Sequence, residues 1–180
     1  MAVIFLSCSL NGNLFGRESM EKIDLKSSVF SEGGNIPAEY TCDGKDMSPP
    51  LAWSGVPQNA QSLAIIADDP DAPIGDWVHW VVYDLPSVVT GFPAHIPSVE
   101  RLSMGGMQGR TDFGRIGYGG PCPPRGIHRY FFKIYALDTF LNGRPGMTKK
   151  ELLQAMQGHV LAEGQLMGKY ERKKVLRKRG

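Results

Sequence analysis

Several residue types are scarce in this chain of 180 residues: three cysteines, four histidines and three tryptophans. No run approaches the ~18 apolar residues that a membrane-spanning helix requires. Excess charge of either sign is also missing, since 20 basic and 18 acidic side chains leave a net +2. Each shortage removes a class of protein. Cys8, Cys42 and Cys122 are too few for a disulfide framework, and none has the two-residue spacing of a zinc ribbon. A reducing compartment, with a cytoplasmic location, is the simpler expectation, with a single Cys42–Cys122 bridge as the alternative. No Gly-x-Ser-x-Gly elbow offers a serine nucleophile, and no cysteine stands beside a credible base. No His-Glu-x-x-His segment offers a zinc site, and no internal repeat points to a solenoid.

Turn residues, by contrast, are plentiful. The 22 glycines and 13 prolines argue against a helical bundle, because helix interiors tolerate neither. With 42% hydrophobic and 21% charged residues, the chain has the composition of one ordinary globular domain. The near-neutral total hides an asymmetry. Lys169 to Gly180 holds seven basic residues and one Glu, so the rest of the chain is mildly acidic. The division expected is an extension over 1–19, a domain over 20–170 and a basic tail over 171–180. Met1 to Leu10 is apolar but has no basic n-region, and Met20 is the expected natural start. The tail reads as a solvated terminus rather than a nucleic-acid contact.

Strand signals dominate the domain. Residues 20–30 alternate around Ile23, Leu25 and Val29, and Leu51 to Trp53 form a brief apolar insert. Residues 62–68 read as a buried strand that ends at Asp69 before Pro70. Residues 77–85 are apolar on both faces, with Trp77, His79, Val81 and Tyr83 expected on one of them. Residues 128–137 form a further strand that places His128, Tyr130 and Phe132 together. Residues 86–120 read as a long Gly-rich connection, a length associated with function. Thr148 and Glu151 make a capping box, and Leu152, Leu153, Met156 and Val160 continue it as a helical stripe. Strands first and a helix late predict a mainly β sandwich with a short C-terminal helical segment.

Three segments concentrate polar chemistry at strand ends. Asp68-Asp69-Pro70-Asp71-Ala72-Pro73 follows a buried strand, Trp77-Val78-His79-Trp80 opens the next, and Gly119 to Tyr130 is a glycine-hinged proline loop. Singly, these are a capping turn, a core histidine and a stiff connection. Together they suit a small anion, with two imidazoles and glycine N–H groups as donors and an Asp to orient one ring. A His/His/Asp metal site and an acid–base active site are the competing readings.

These segments resemble the signatures of the phosphatidylethanolamine-binding protein family, which includes Raf kinase inhibitor protein. Asp69-Pro70-Asp71-Ala72-Pro73 and Trp77-x-His79 resemble its first signature, and Gly120 to Tyr130 its second. Gly-Pro-Cys-Pro-Pro, Tyr40 to Gly44 and Ser48 to Trp53 resemble the bacterial and archaeal branch. The resemblance spans residues 20–170 and implies a sandwich of antiparallel sheets with an anion pocket at one edge. The ligand-binding residues it implies are Asp69, Asp71, Pro73, Trp77, His79, Gly120, Pro121, His128 and Tyr130, with Gly120-Pro121 as rim and backbone donor. It also implies a cis bond at Ala72–Pro73. Only Ile74-Gly75-Asp76 separates Pro73 from Trp77, so the tyrosine and basic residues of mammalian members have no counterpart there.

The expectation is a non-catalytic binding protein for phosphate or a phosphorylated ligand, needing no cofactor and no metal. A phospholipid head group, a phosphometabolite and a phosphorylated protein all fit that chemistry. A surface-acting kinase or protease inhibitor is the alternative, and a hydrolase or metal enzyme the third reading. A homodimer and a peripheral membrane contact stay open, while nucleic acid is disfavoured.

Overall fold

Every residue of Ser62–Asp69 is buried, as befits a strand covered on both faces. In the computed structural model, which describes residues 21–173, this run is β4, at the centre of the fold. Before it come β1 (Glu21–Lys22), β2 (Asp24–Lys26) and β3 (Leu51–Ser54). After it come β5 (Trp77–Pro86), β6 (Gly91–Phe92), β7 (Met107–Gln108), β8 (His128–Leu137), α1 (Lys149–Ala155) and β9 (Val160–Tyr170). The larger sheet has the order β1-β9-β8-β4-β5-β7 and the smaller β2-β3-β6. All ladders are antiparallel except that of β1 on β9, which is parallel and departs from the all-antiparallel expectation.

The two faces of β4 bury different company. Leu63 and Ile65 meet Trp80, Val82, Phe132 and Ile134 in the layer closed by Leu25, Trp53 and Phe92 of the smaller sheet. Ala64 and Ile66 face Val81 and Tyr83 beneath Leu152 of α1 and Met156 at its C-terminal end. Burying each such large aliphatic side chain contributes about 2 kcal/mol. The helix begins at the expected capping box: the Thr148 N–H donates to Glu151 Oε2 at 2.8 Å, and the Glu151 N–H donates back to Thr148 Oγ1.

The structure corrects two expectations, the length of the helical segment and the free thiols. The helical stripe does not continue to Val160, because Val160–Tyr170 is the longest strand and pairs with β8 along its length. Of the two glycines expected to break the helical region, Gly158 does stand past the helix end at φ 81°, whereas Gly164 lies within β9. A Cβ on Gly164 would stand 2.2 Å from the Ile23 carbonyl oxygen, and one on Gly168 would stand 2.5 Å from the Ile36 side chain. The long Gly-rich connection 86–120 carries β6 and β7. Gln108, fully buried, accepts from the Trp80 indole at 2.7 Å and donates to the carbonyls of Pro97 and Val99. The cysteines expected to be free thiols are joined: Cys42 and Cys122, 80 residues apart, form a disulfide with Cα atoms 5.4 Å apart. A backbone bond from the Cys42 N–H to the Pro121 carbonyl brings the two loops within bridging reach.

The extension 1–19 and the tail from 174 lie outside the described residues. Of the tail, Arg172 is described, and its guanidinium pairs with Asp43 at 2.8 Å. Among the described residues, no helix is long and apolar enough to cross a membrane.

Candidate functional site

The end of β4 and the starts of β5 and β8 meet at one end of the larger sheet, since Asp69 pairs with Trp77 and Asp68 with Phe131. Antiparallel pairing thereby brings the three polar segments together although they are far apart in the chain. The β5 alternation is interrupted here. Ala67 pairs with Trp80 and Asp68 with Val78, which leaves His79 without a partner on β4. The face expected for Trp77, His79, Val81 and Tyr83 is therefore corrected. Val78 joins Val81 and Tyr83 under the helix, while the His79 ring packs edge-on against Tyr130 at 5.2 Å.

Both histidines are held by Nδ1. His79, 4% exposed, donates from Nδ1 to the Gly119 carbonyl at 2.6 Å, and the Gly119 N–H returns a bond to the His79 carbonyl. His128, 6% exposed, donates from Nδ1 to Asp69 Oδ2 at 2.7 Å. The other Asp69 oxygen accepts the Asp71 N–H at 2.9 Å. Each ring therefore keeps Nε2 as the nitrogen available to a ligand. Burial pushes the His79 imidazole below the usual histidine range, against the opposing pull of the Gly119 carbonyl and the Asp69 charge. Tyr130 lies next to both rings with its hydroxyl buried and unpartnered. Burial, and then the charge of Asp69, push that phenol above its usual range.

His79 and His128 line one cavity of about 340 Å³, within the range of small-ligand sites. Asp69, Pro73 and Trp77 line it with them. The remaining wall is apolar: Ala72, Ile74, Phe113, Pro123 and Pro124, with Cys122 of the disulfide. Larger hollows of about 500 and 830 Å³ run along the β1–β9 edge and the β1–β2 arm. Their charged groups, such as Glu21, Lys22 and Lys26, are exposed strand residues, so neither hollow gathers buried polar groups.

Four expected residues stand elsewhere. Asp71 clamps the loop onto β8, accepting the Arg129 N–H at 2.9 Å and its Nε–H at 2.8 Å. That guanidinium lowers its carboxyl to about 2. Tyr130 packs against the histidine rings rather than lining the cavity. Gly120 and Pro121 do not line it either, and the expected glycine donor is already engaged, because the Gly120 N–H donates to Asp46 Oδ1 at 2.7 Å. A Cβ at Gly120 would lie 2.7 Å from that oxygen and from the Tyr40 carbonyl, so only glycine allows the two loops to approach. The Ala72–Pro73 bond is trans, as are all peptide bonds among the described residues. The reversal is made instead by a turn in which the Gly75 N–H bonds to the Ala72 carbonyl, with Gly75 at φ 103°.

Sequence reasoning missed Phe113. Its ring packs edge-on against Trp77 at 5.5 Å and His79 at 5.2 Å, closing the cavity from the long connection. An aromatic beside a glycine in that connection is a weak signal, and nothing local shows where it folds. Pro123 and Pro124 stood in the proline loop without an assigned role. Among the described residues, no group of three or more His, Cys, Asp or Glu side chains is placed to hold a metal ion.

Comparison with known proteins agrees with the fold. The family model for phosphatidylethanolamine-binding protein matches residues 26–171. A protein of Methanothermobacter thermautotrophicus named UPF0098 protein is 53% identical over 150 residues, 83% of this chain and 99% of its own length. A crystal structure from Chlamydia trachomatis, described as a phosphatidylethanolamine-binding protein homologue, is 43% identical with a TM-score of 0.79. It is matched over 84% of this chain and 99% of its own. The Escherichia coli protein YbcL is 32% identical with a TM-score of 0.76, over 86% of this chain and all of its own. With most of its length matched by the family model and by these relatives, the chain belongs to the phosphatidylethanolamine-binding protein family.

Proposed function

We propose that this is a non-catalytic binding protein whose cavity takes phosphate or the phosphate group of a phosphorylated ligand. The observation that carries the reading is the pair of buried histidines on one wall-enclosed space, each with Nδ1 engaged and Nε2 left over. Protonated, an imidazole of this kind donates from Nε2 to a phosphate oxygen. Neutral, it accepts the hydrogen of a P–OH group. The carbon part of a phosphomonoester would rest on Trp77, Phe113 and Pro124. Non-catalytic action is supported by the lining itself. It carries no serine, threonine or lysine, its cysteine is bridged, and Asp69 already accepts from His128 and Asp71.

A bound anion favours protons on the neighbouring rings, so binding is expected to strengthen as pH falls from 7.5 to 5.5. Titration with inorganic phosphate and with O-phosphoethanolamine, followed through the histidine ring resonances, tests this. Both rings should shift and saturate together, and His128→Ala should weaken binding at least tenfold. Rings that stay in place at millimolar ligand would defeat the proposal.

A further inference from the structure

Beyond ligand binding, we propose that the Cys42–Cys122 disulfide is a thiol-sensitive latch that holds one wall of the cavity in place. Cys122 lines the cavity, and Pro123 and Pro124 beside it make up much of the apolar wall. This stretch is poorly secured by other means. Three of the four residues Pro121 to Pro124 are prolines without an N–H, and among the described residues no loop or turn backbone bond holds 122–127. The Cys42 N–H reaches the Pro121 carbonyl at 3.1 Å, so beyond Pro121 the bridge is the remaining covalent tie to the Thr41–Asp46 turn. Within the segment, Gly126 stands at φ 71° with no atom within 4 Å of where a Cβ would be. Both cysteines are half-buried rather than sealed in the core.

Upstream of the bridge the anchoring is redundant, which separates a latch from a general staple. The Gly120 N–H bonds to Asp46, and the Tyr118 hydroxyl donates to the Tyr40 carbonyl at 3.0 Å. The sheet continues independently from His128 through its ladder with β9. A dithiol reductant supplies the chemistry. Its thiolate attacks one cysteine sulfur, and the other cysteine leaves as a thiolate and takes up a proton. The second thiol then displaces the first cysteine and closes the reductant's own disulfide. One S–S bond breaks and one forms, and two electrons and two protons pass to Cys42 and Cys122. The wall from Cys122 to Ile127 is then held through its two ends alone, Pro121 and His128, and is free to move away from Trp77.

The affinity part of the test rests on the phosphate reading above, and the cleavage part does not. The protein is studied oxidised, reduced with dithiothreitol, and as the Cys42→Ser, Cys122→Ser double variant without reductant. Trypsin cleavage sites are identified by mass spectrometry, and inorganic phosphate affinity is measured alongside. Cleavage after Arg125 should accelerate at least tenfold in both bridge-free forms, with Lys133 in β8 still resistant, and phosphate affinity should fall about tenfold. Unchanged cleavage at Arg125 would overturn the latch, as would general cleavage including Lys133, which would mark the bridge as a global staple. Faster cleavage with unaltered phosphate affinity would likewise overturn it, since the wall would then not shape the site. An oxidised protein that binds no phosphate would refute the ligand reading, leaving the Arg125 cleavage to decide the latch.

Discussion

Asp68 and Asp69 are adjacent on β4 and almost equally buried, at 1% and 3% exposure, but they serve opposite faces of the larger sheet. Asp68 faces the helix layer. It accepts from Lys133 Nζ at 2.7 Å and from Lys149 Nζ at 2.6 Å, and Lys149 also reaches Asp76. Asp69 faces the cavity, where its charge meets one imidazole and one backbone N–H, with an unpartnered tyrosine hydroxyl nearby. Burying a charge is costly unless it is paired. Around Asp68 two ammonium groups complete the pairing, and the network tethers α1 to the sheet. Around Asp69 the pairing comes from one imidazole N–H and one backbone N–H, and room is left for a guest. The same residue type at the same depth thus makes a closed structural knot on one side and an open site on the other.

Exchanging the carboxylates for amides probes that difference most strongly. Asp68→Asn leaves two lysines facing a neutral partner and should destabilise the fold by about 3 kcal/mol, with phosphate affinity nearly unchanged. Asp69→Asn removes one charge-assisted bond at a cost of about 1–2 kcal/mol. It also removes the acceptor that fixes the His128 tautomer, so phosphate binding should fall at least tenfold. Denaturant unfolding and phosphate titration of the two variants check both readouts, and equal losses in each would erase the distinction.

A smaller effect comes from acid. Because burial lowers the His79 pKa, the unfolded chain takes up a proton there before the native protein does. Stability from this residue is complete above the ordinary histidine value of about 6.5 and is lost as pH falls below it toward the depressed native value. Unfolding midpoints at pH 7.5 and 5.5, measured without phosphate, should therefore decline in the native sequence and decline less in His79→Gln. Equal slopes would show that His79 does not carry the acid sensitivity of the cavity side.

The smallest effect belongs to the rim. Arg129→Ala removes the guanidinium from Asp71, but that pair lies at the surface, where salt weakens it, and the backbone N–H of residue 129 still bonds to the carboxylate. Thermal unfolding should hardly move, and phosphate affinity should change less than twofold. A large loss of affinity would place Asp71 within the site rather than around it.

Much of this arrangement was legible locally. β8 matches its expected bounds of His128 and Leu137, and the compact apolar run in 62–68 located β4. The capping box at Thr148 marked the start of α1. Motif chemistry identified Asp69, Pro73, Trp77, His79 and His128, which share the cavity. β9 was obscured because its inward face uses Gly164 and Gly168 where Ile23 and Ile36 press close, which removed the apolar signal that would mark a strand. Phe113 was hidden because its partners, Trp77 and His79, lie more than thirty residues away. The Cys42–Cys122 bridge stood only as the alternative for the same reason, as the two residues become neighbours only when two distant loops close on the same sheet end.

The sequence by itself determined what is local. It set where strands begin and end, through continuous apolar runs in β4 and β5, period-two burial in β8 and prolines that cannot extend a ladder, and it placed imidazoles and carboxylates at those ends. Only the tertiary structure decided which nitrogen of each histidine is engaged, that Gly120 donates to Asp46 and not to a ligand, and that neighbouring aspartates part company across the sheet. Those outcomes depend on strand register, on the interrupted pairing at His79 and on loop closure over 80 residues. No local pattern encodes such long-range contacts.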